Sequence, residues 1–222
     1  MLVEIKNIKK KYGKKVVLSD ISLTAEKGKC VGVIGVNGCG KSTLFSILAG
    51  VNKAEGGEFL YNGENLLKNS KKRSEIVGYV PQGTPLIEEL TAYDNLLLWY
   101  DKESLKLELS DGVLGMLGIA DFLKVPVCKM SGGMKKRLAI GCAISNSPKI
   151  LLLDEPSSAL DLVCKERISN YLKNYKSEGG VIFLATHEAQ ELEMCDDIYI
   201  MRDGTLCPYF FDGNIHRLVG SL

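Results

Sequence analysis

No apolar run in this 222-residue chain reaches the roughly 18–20 residues that a membrane-spanning helix needs. The opening Met-Leu-Val-Glu-Ile-Lys also lacks the layout of a secretory signal. If the protein works at a membrane, another chain does the crossing. An excess of one charge is equally missing: 28 basic and 27 acidic side chains leave a formal net charge of +1. The charge balance therefore argues neither for nucleic acid nor for an anionic lipid surface, and the basic clusters at 9–11 and 71–73 read as solvated faces. Seven cysteines stand singly, at 30, 39, 128, 142, 164, 195 and 207, with none at metal-ligand or redox spacing. That is the pattern of reduced thiols in a cytosolic protein. Internal repeats, low-complexity tracts and long linkers are missing too.

What is present is a balance of 45% hydrophobic and 25% charged residues, enough to bury a core as one large domain or two small lobes. Residues 2–8 alternate apolar and polar, and 16–25 carry Val17, Ile21 and Leu23, which predicts short antiparallel strands. The β-branched run 30–34 ends at a glycine-rich loop, followed by Leu44, Phe45, Ile47 and Leu48 at helical spacing up to Gly50. Residues 56–63 predict a strand closed by an Asn-Gly turn, and 76–80 another stopped by Pro81. From about 86 to 147 the chain is rich in Leu and Met and predicts helices at 91–100, 104–118 and 132–145, a helical lobe inserted into an α/β core. The wholly apolar runs 150–153 and 181–185 predict parallel strands covered on both faces, with a helix between them. Residues 198–211 read as a final hairpin around Asp203-Gly204. The expected organisation is a single domain over 1–222: core and N-terminal antiparallel β subdomain over about 1–85 and 148–222, helical subdomain over about 86–147.

Three motifs carry chemistry. Gly35-Val36-Asn37-Gly38-Cys39-Gly40-Lys41-Ser42-Thr43 fits the phosphate-loop pattern in its proper context, after a buried strand and opening a helix. Backbone N–H groups of residues 37–41 would wrap the phosphates, Lys41 would add a mobile positive charge, and Ser42 offers a hydroxyl to Mg2+. Cys39 fills a variable position and reads as tolerated. The apolar strand 150–153 delivers Asp154 and Glu155 to its C-terminal edge, where open α/β sheets place ligands. Asp154 is expected to hold Mg2+, and Glu155 to orient and deprotonate an attacking water. His187, just past another strand, reaches the same edge, and Gln82 can offer an amide oxygen to the metal or the water. Thirdly, Met130-Ser131-Gly132-Gly133-Met134 opens a helix whose capping serine, free N–H groups and positive dipole end suit an anion, the glycines allowing close approach. Tyr12 can stack on a nucleobase.

The order of these motifs resembles the nucleotide-binding subunit of ATP-binding cassette (ABC) transporters over essentially the whole chain. Tyr12 matches the aromatic loop, residues 35–43 the Walker A motif, Gln82 the Q-loop, Ser131-Gly132-Gly133 the signature, 150–155 the Walker B motif, Ser158-Ala159-Leu160-Asp161 the D-loop and His187 the switch histidine. The resemblance implies a P-loop NTPase core and an ATPase using ATP and Mg2+, with Ser42, Gln82 and Asp154 at the metal. It implies head-to-tail pairing with a second ABC subunit, so that Ser131 to Met134 of one copy clamp the ATP held by the other. A separate transmembrane permease would dock on the helical lobe near Gln82, placing the protein at the cytoplasmic face of the cell membrane. Nucleic acid is not an expected partner. Residues 90–96 and the compact helical lobe are similar to stand-alone bacterial cassettes, often exporters. The family usually has Leu and Gln where this chain has Met130 and Met134. Two alternatives stay open: a soluble ABC ATPase, which would call for a coiled-coil insertion, zinc cysteines or a basic face, and a weakly hydrolysing nucleotide clamp in a heterodimer.

Overall fold

The computed structural model describes residues 2–158 and 160–222. Its first strands, β1 (Leu2–Tyr12) and β2 (Lys15–Glu26), pair antiparallel, and β1 runs well past residue 8. The register of β1 on β2 slips between Ile5 and Ile8 and twice more before Tyr12, and Asn7 takes a φ of 52°. Each slip resets which face a side chain takes, so the strand outlasts its period-two pattern. β3 (Cys30–Ile34), buried at every position, leads through a loop into α1 (Lys41–Ala49). β4 (Gly56–Tyr61) and β5 (Glu64–Asn65) form the expected hairpin. An unexpected helix, α2 (Ser70–Ile76), precedes β6 (Val77–Val80); only Ile76 of α2 is buried, so the sequence shows no apolar face there.

The segment that follows holds α3 (Ala92–Leu96), α4 (Lys102–Ser110), α5 (Val113–Met116) and α6 (Gly132–Ala143). The long helix expected over 104–118 is broken at Gly112, extended at φ −99° and ψ −164°, where the Glu108 carboxylate accepts from Val113 N at 2.9 Å. The one expected over 91–100 ends at Leu96. The remainder is β7 (Ile150–Asp154), α7 (Leu162–Ser177), β8 (Val181–Ala185), α8 (Ala189–Met194), β9 (Asp197–Arg202), β10 (Thr205–Tyr209) and α9 (Ile215–Ser221). α8 and α9 are too short to show a helical period.

The strands form one sheet in the order β5-β4-β1-β2-β10-β9-β3-β8-β7-β6. β9, β3, β8, β7 and β6 run parallel, and β10 turns back antiparallel on β9 to meet β2. Alternate residues of the central strands serve opposite cores. Leu151, Leu153, Ile182 and Leu184 pack with Leu138 of α6 and Ile168 of α7, while Ile150, Leu152, Val181 and Phe183 pack with Leu44, Phe45 and Leu48 of α1. Both faces being covered, each of these strand positions is apolar, and each such side chain contributes about 1.5–3 kcal/mol. Because β3, β7 and β8 are parallel neighbours, with Val33 and Asp154 both in register with Ala185, their C-terminal ends open onto one edge.

Candidate active site

At that edge the loop from β3 to α1 turns on Gly40, at a φ of 122° and with Leu18 Cδ2 3.0 Å from where a Cβ would stand. Only glycine suits both conditions. Lys41, 5% exposed, donates from Nζ to Gly35 O at 2.6 Å and more weakly to Val36 O at 3.4 Å, spanning the loop it belongs to. The first turn of α1 has no acidic residue and no side-chain cap, which leaves its N–H groups and positive dipole end for an anion. Asn37, Gly38, Lys41, Ser42, Gln82 and Glu155 are among the walls of a cavity of about 270 Å³, together with Gly40 and Thr43. Cys39 instead packs against the core shared with α1. A larger cavity of about 540 Å³, lined by Lys27, Lys149, Tyr171 and Tyr175, contains none of the motif residues.

Asp154 is 2% exposed, and its Oδ2 is buried without a hydrogen-bond partner. Burial, and secondly the charge of Glu155, push its carboxyl above the ordinary range, against the Ser42 hydroxyl, Lys41 and Lys136. Such an orphaned anionic oxygen beside a phosphate loop suits a divalent cation. Among the described residues no three His, Cys, Asp or Glu side chains converge, so the cation would lean on Ser42, Asp154 and phosphate oxygens, the habit of Mg2+. Glu155 takes a φ of 50°, costing about 1–3 kcal/mol in a non-glycine residue, and its N–H is fixed to Ala185 O at 2.8 Å. Its Oε2 accepts from Gln82 Nε2 at 2.9 Å, and its Oε1 lies 3.8 Å from His187 Nε2. Partial burial and the Lys41 charge hold His187 below its usual pKa of 6.5, against Glu155; at neutral pH this contact joins a carboxylate to a neutral imidazole.

The stretch 130–137 divides differently from expectation. Ser131 does cap α6, its Oγ accepting from Met134 N at 3.2 Å. Gly132 is exposed, with only Leu160 near its absent Cβ, at 4.0 Å. Gly133, however, is buried, and a Cβ there would stand 2.6 Å from Cys164 Sγ. Its lack of a side chain serves the contact of α6 with α7. Met130 is buried, and Met134 packs on the same core. Lys136 and Arg137 are also buried: Lys136 Nζ donates to Pro81 O at 3.1 Å and Gln82 O at 3.0 Å, and Arg137 Nη1 to Leu117 O at 2.8 Å.

The fold thus brings the phosphate loop, Gln82, Glu155 and His187 together. Tyr12, Ser131, Gly132, Gly133, Met134, Ser158 and Asp161 do not line that cavity. Tyr12 is half-exposed with the Lys10 ammonium 5.0 Å from its ring centre, Ser158 is exposed, and Asp161 caps α7 by accepting from Cys164 N at 2.9 Å. Ala159 lies outside the described residues. Sequence reasoning missed Lys136 and a buried bracket in which Glu191 accepts from Ser157 Oγ at 2.6 Å and from Thr186 Oγ1. Neither carries a local signal, since Glu191 sits in an acidic stretch that reads as a solvated helix face.

The profile of the family described as "ABC transporter" matches residues 18–158. The chain belongs to the ABC transporter family. Within the matched span lie the phosphate loop, Gln82, Ser131 and the Asp154-Glu155 pair, whereas Tyr12 and His187 fall outside it. The lantibiotic transport ATP-binding protein SrtF of Streptococcus pyogenes is 32% identical over 92% of this chain and 89% of its own length. The spermidine/putrescine import ATP-binding protein PotA of Spiroplasma citri is 35% identical over 92% of this chain and 60% of its own. Among solved structures, a dimeric post-hydrolysis ATP-binding cassette bound to ADP and Pi superposes with a TM-score of 0.82 at 28% identity, covering 92% of this chain and 96% of that one. The parallel sheet with its phosphate loop is therefore the P-loop NTPase fold of an ABC ATPase, the subunit of a transporter that binds ATP. No helix among the described residues is long and apolar enough to cross a membrane.

Proposed function

We propose that this ABC ATPase powers a transporter by closing head to tail on a second ABC subunit when ATP binds and reopening after hydrolysis. A separate transmembrane permease, docked on the helical subdomain over about 86–147, would move the substrate. The protein would sit peripherally at the cytoplasmic face of the membrane. The observation that carries this reading is the placement of Glu155 in the wall of the phosphate-loop cavity, held by Gln82 and faced by a neutral His187.

The N–H groups of residues 37–41 and the Lys41 ammonium bind the phosphates, the ammonium exchanging its bond to Gly35 O for phosphate oxygens. Ser42, Asp154 and Gln82 would hold Mg2+, which when bound neutralises charge on the β- and γ-phosphates. Glu155 orients a water by its carboxylate and takes its proton, while His187 remains uncharged beside it and donates or accepts one hydrogen bond at Nε2. Tyr12 stacks on the base. Ser131, Gly132, Gly133 and Met134 of the second copy, with Ser158 and Asp161, complete the enclosure. Outward transport is favoured by the resemblance of residues 90–96 to exporter cassettes.

The test is Glu155→Gln. Turnover of ATP is expected to fall about 10²–10⁴-fold, the range of a general base, while ATP still binds and drives a dimer that now persists in gel filtration. A parent protein that dimerises on ATP yet shows no hydrolysis dependent on Glu155 would overturn the reading.

A further inference from the structure

Glu191 is a carboxylate buried to 9% exposure, and no Lys or Arg pairs with it among the described residues; the nearby Lys165 pairs with Glu188 at 2.8 Å. A buried charge without a cation costs stability unless its oxygens are well hydrogen-bonded. Here each oxygen takes one hydroxyl, Ser157 Oγ at 2.6 Å on Oε1 and Thr186 Oγ1 on Oε2. Both hydroxyls are themselves buried, at 3% and 1% exposure. The two donors belong to different loops. Ser157 lies two residues beyond Glu155, in the turn leaving β7. Thr186 is the residue before His187, in the turn leaving β8, and its Oγ1 also accepts from Glu188 N at 3.0 Å.

We infer that Glu191 is a positioning residue, a bracket at the start of α8 that fixes the loops carrying Glu155 and His187 against each other and so sets the distance between the two reacting side chains. The inference rests on the proposed roles of Glu155 and His187. Strand pairing already joins the loops at Glu155 N to Ala185 O, but that bond holds the near end of each turn. The far ends, where Pro156 and His187 leave the sheet, are tied by hydrogen bonds from Ser157 and Thr186 to the Glu191 carboxylate. Hydroxyl-to-carboxylate bonds are short and directional, so they transmit small displacements where a packed apolar contact would slide.

Steady-state ATP hydrolysis of Glu191→Gln, Glu191→Ala, Thr186→Ser and Thr186→Val, each checked for a folded melting transition, tests this beside Glu155→Gln. Because misplacement of about 1 Å costs up to about 100-fold in rate, kcat is expected to fall about 10–100-fold in Glu191→Ala and in Thr186→Val. It should fall less in Glu191→Gln and stay parental in Thr186→Ser, which keeps the hydroxyl, with KM for ATP within about twofold throughout. Parental kcat in Glu191→Gln and Thr186→Val, or a raised KM with kcat unchanged, overturns the positioning role. If hydrolysis is lost in Glu155→Gln while the Glu191 and Thr186 variants stay parental, only this inference fails. If Glu155→Gln hydrolyses like the parent, the proposed function fails as well.

Discussion

Replacing Gly133 by alanine separates the packing role of the signature stretch from its role towards a nucleotide. The added Cβ would stand 2.6 Å from Cys164 Sγ, about 1 Å inside the optimal separation of roughly 3.5–4.0 Å for non-bonded atoms. Cys164 is itself buried in the first turn of α7, 6% exposed, so it cannot simply swing into water. Overpacking of this kind costs about 1–3 kcal/mol, and the better helix propensity of alanine inside α6 returns about 1 kcal/mol. The net expectation is a loss of about 0–2 kcal/mol. At about 2–4 °C per kcal/mol for a chain of this size, thermal melts by circular dichroism resolve most of that range. The decisive measurement is the double variant with Cys164→Ala, where the new methyl occupies the space the sulfur leaves. The coupling energy should be favourable by about 1–3 kcal/mol, as for other residues in direct contact, and ATP turnover should recover with the fold. A single Gly133→Ala variant about 1 kcal/mol more stable than the parent, with additive behaviour in the pair, would refute the packing argument and return Gly133 to the ligand.

The remaining expectations concern charge. Asp154 has its carboxyl raised by burial and by Glu155, so its stability contribution is present below the ordinary aspartate range near pH 3.9 and lost as pH rises through its folded value. Asp154→Asn should therefore melt higher than the nucleotide-free parent at pH 7 and lose Mg2+-dependent hydrolysis, the gain in melting temperature shrinking towards pH 4; a lower melt at pH 7 would contradict the sign. His187 has its pKa lowered from 6.5 by partial burial and Lys41. Its neutral form thus contributes stability present above about pH 6.5 and lost as pH falls through the folded value. Its imidazole resonance in NMR, assigned with His187→Gln, should titrate below 6.5 and move up in Lys41→Ala; titration at or above 6.5 in the parent would contradict the direction, and an unchanged titration in Lys41→Ala would show that Lys41 does not act on it.

What could be read from the sequence was whatever lies within one contiguous run. Residues 35–43 and 150–155 announce a strand, its exit and the chemistry there because the chain itself delivers those groups to the edge. Partnerships across long separations left no trace. Cys30 and Cys195, read as single thiols by their spacing, place their sulfurs 3.6 Å apart as free thiols. Lys136 and Arg137, which extend a basic-looking run, are drawn inward to cap backbone carbonyls at Pro81, Gln82 and Leu117, because α6 turns their face to the neighbouring segment. The strand β1 outran its alternation for a different reason, since bulges shift the face without ending the pairing. Glu155 was singled out by its place beside Asp154, but its left-handed backbone, at a φ of 50°, has no mark in the residue type.

One connection gives the geometry its direction. Lys136 binds α6 to the carbonyl of Gln82, the Gln82 amide binds Glu155, and Glu155 faces His187 at 3.8 Å. The helix that begins at Ser131 is thus joined by successive polar contacts to the carboxylate in the phosphate-loop cavity of the same chain. Among the described residues the cavity is walled by Asn37, Gly38, residues 40–43, Gln82 and Glu155, and a cover that excludes water would strengthen charge interactions there. In the proposed dimer that cover comes from the partner's α6, while this chain's own α6 covers the partner's nucleotide. A shift of α6 on meeting that nucleotide would pull on Gln82 through Lys136 and hence on Glu155. Polar contacts of this kind have discrete partners, not a continuous range of positions, so in the proposed dimer a contact made at one nucleotide would alter the carboxylate at the other.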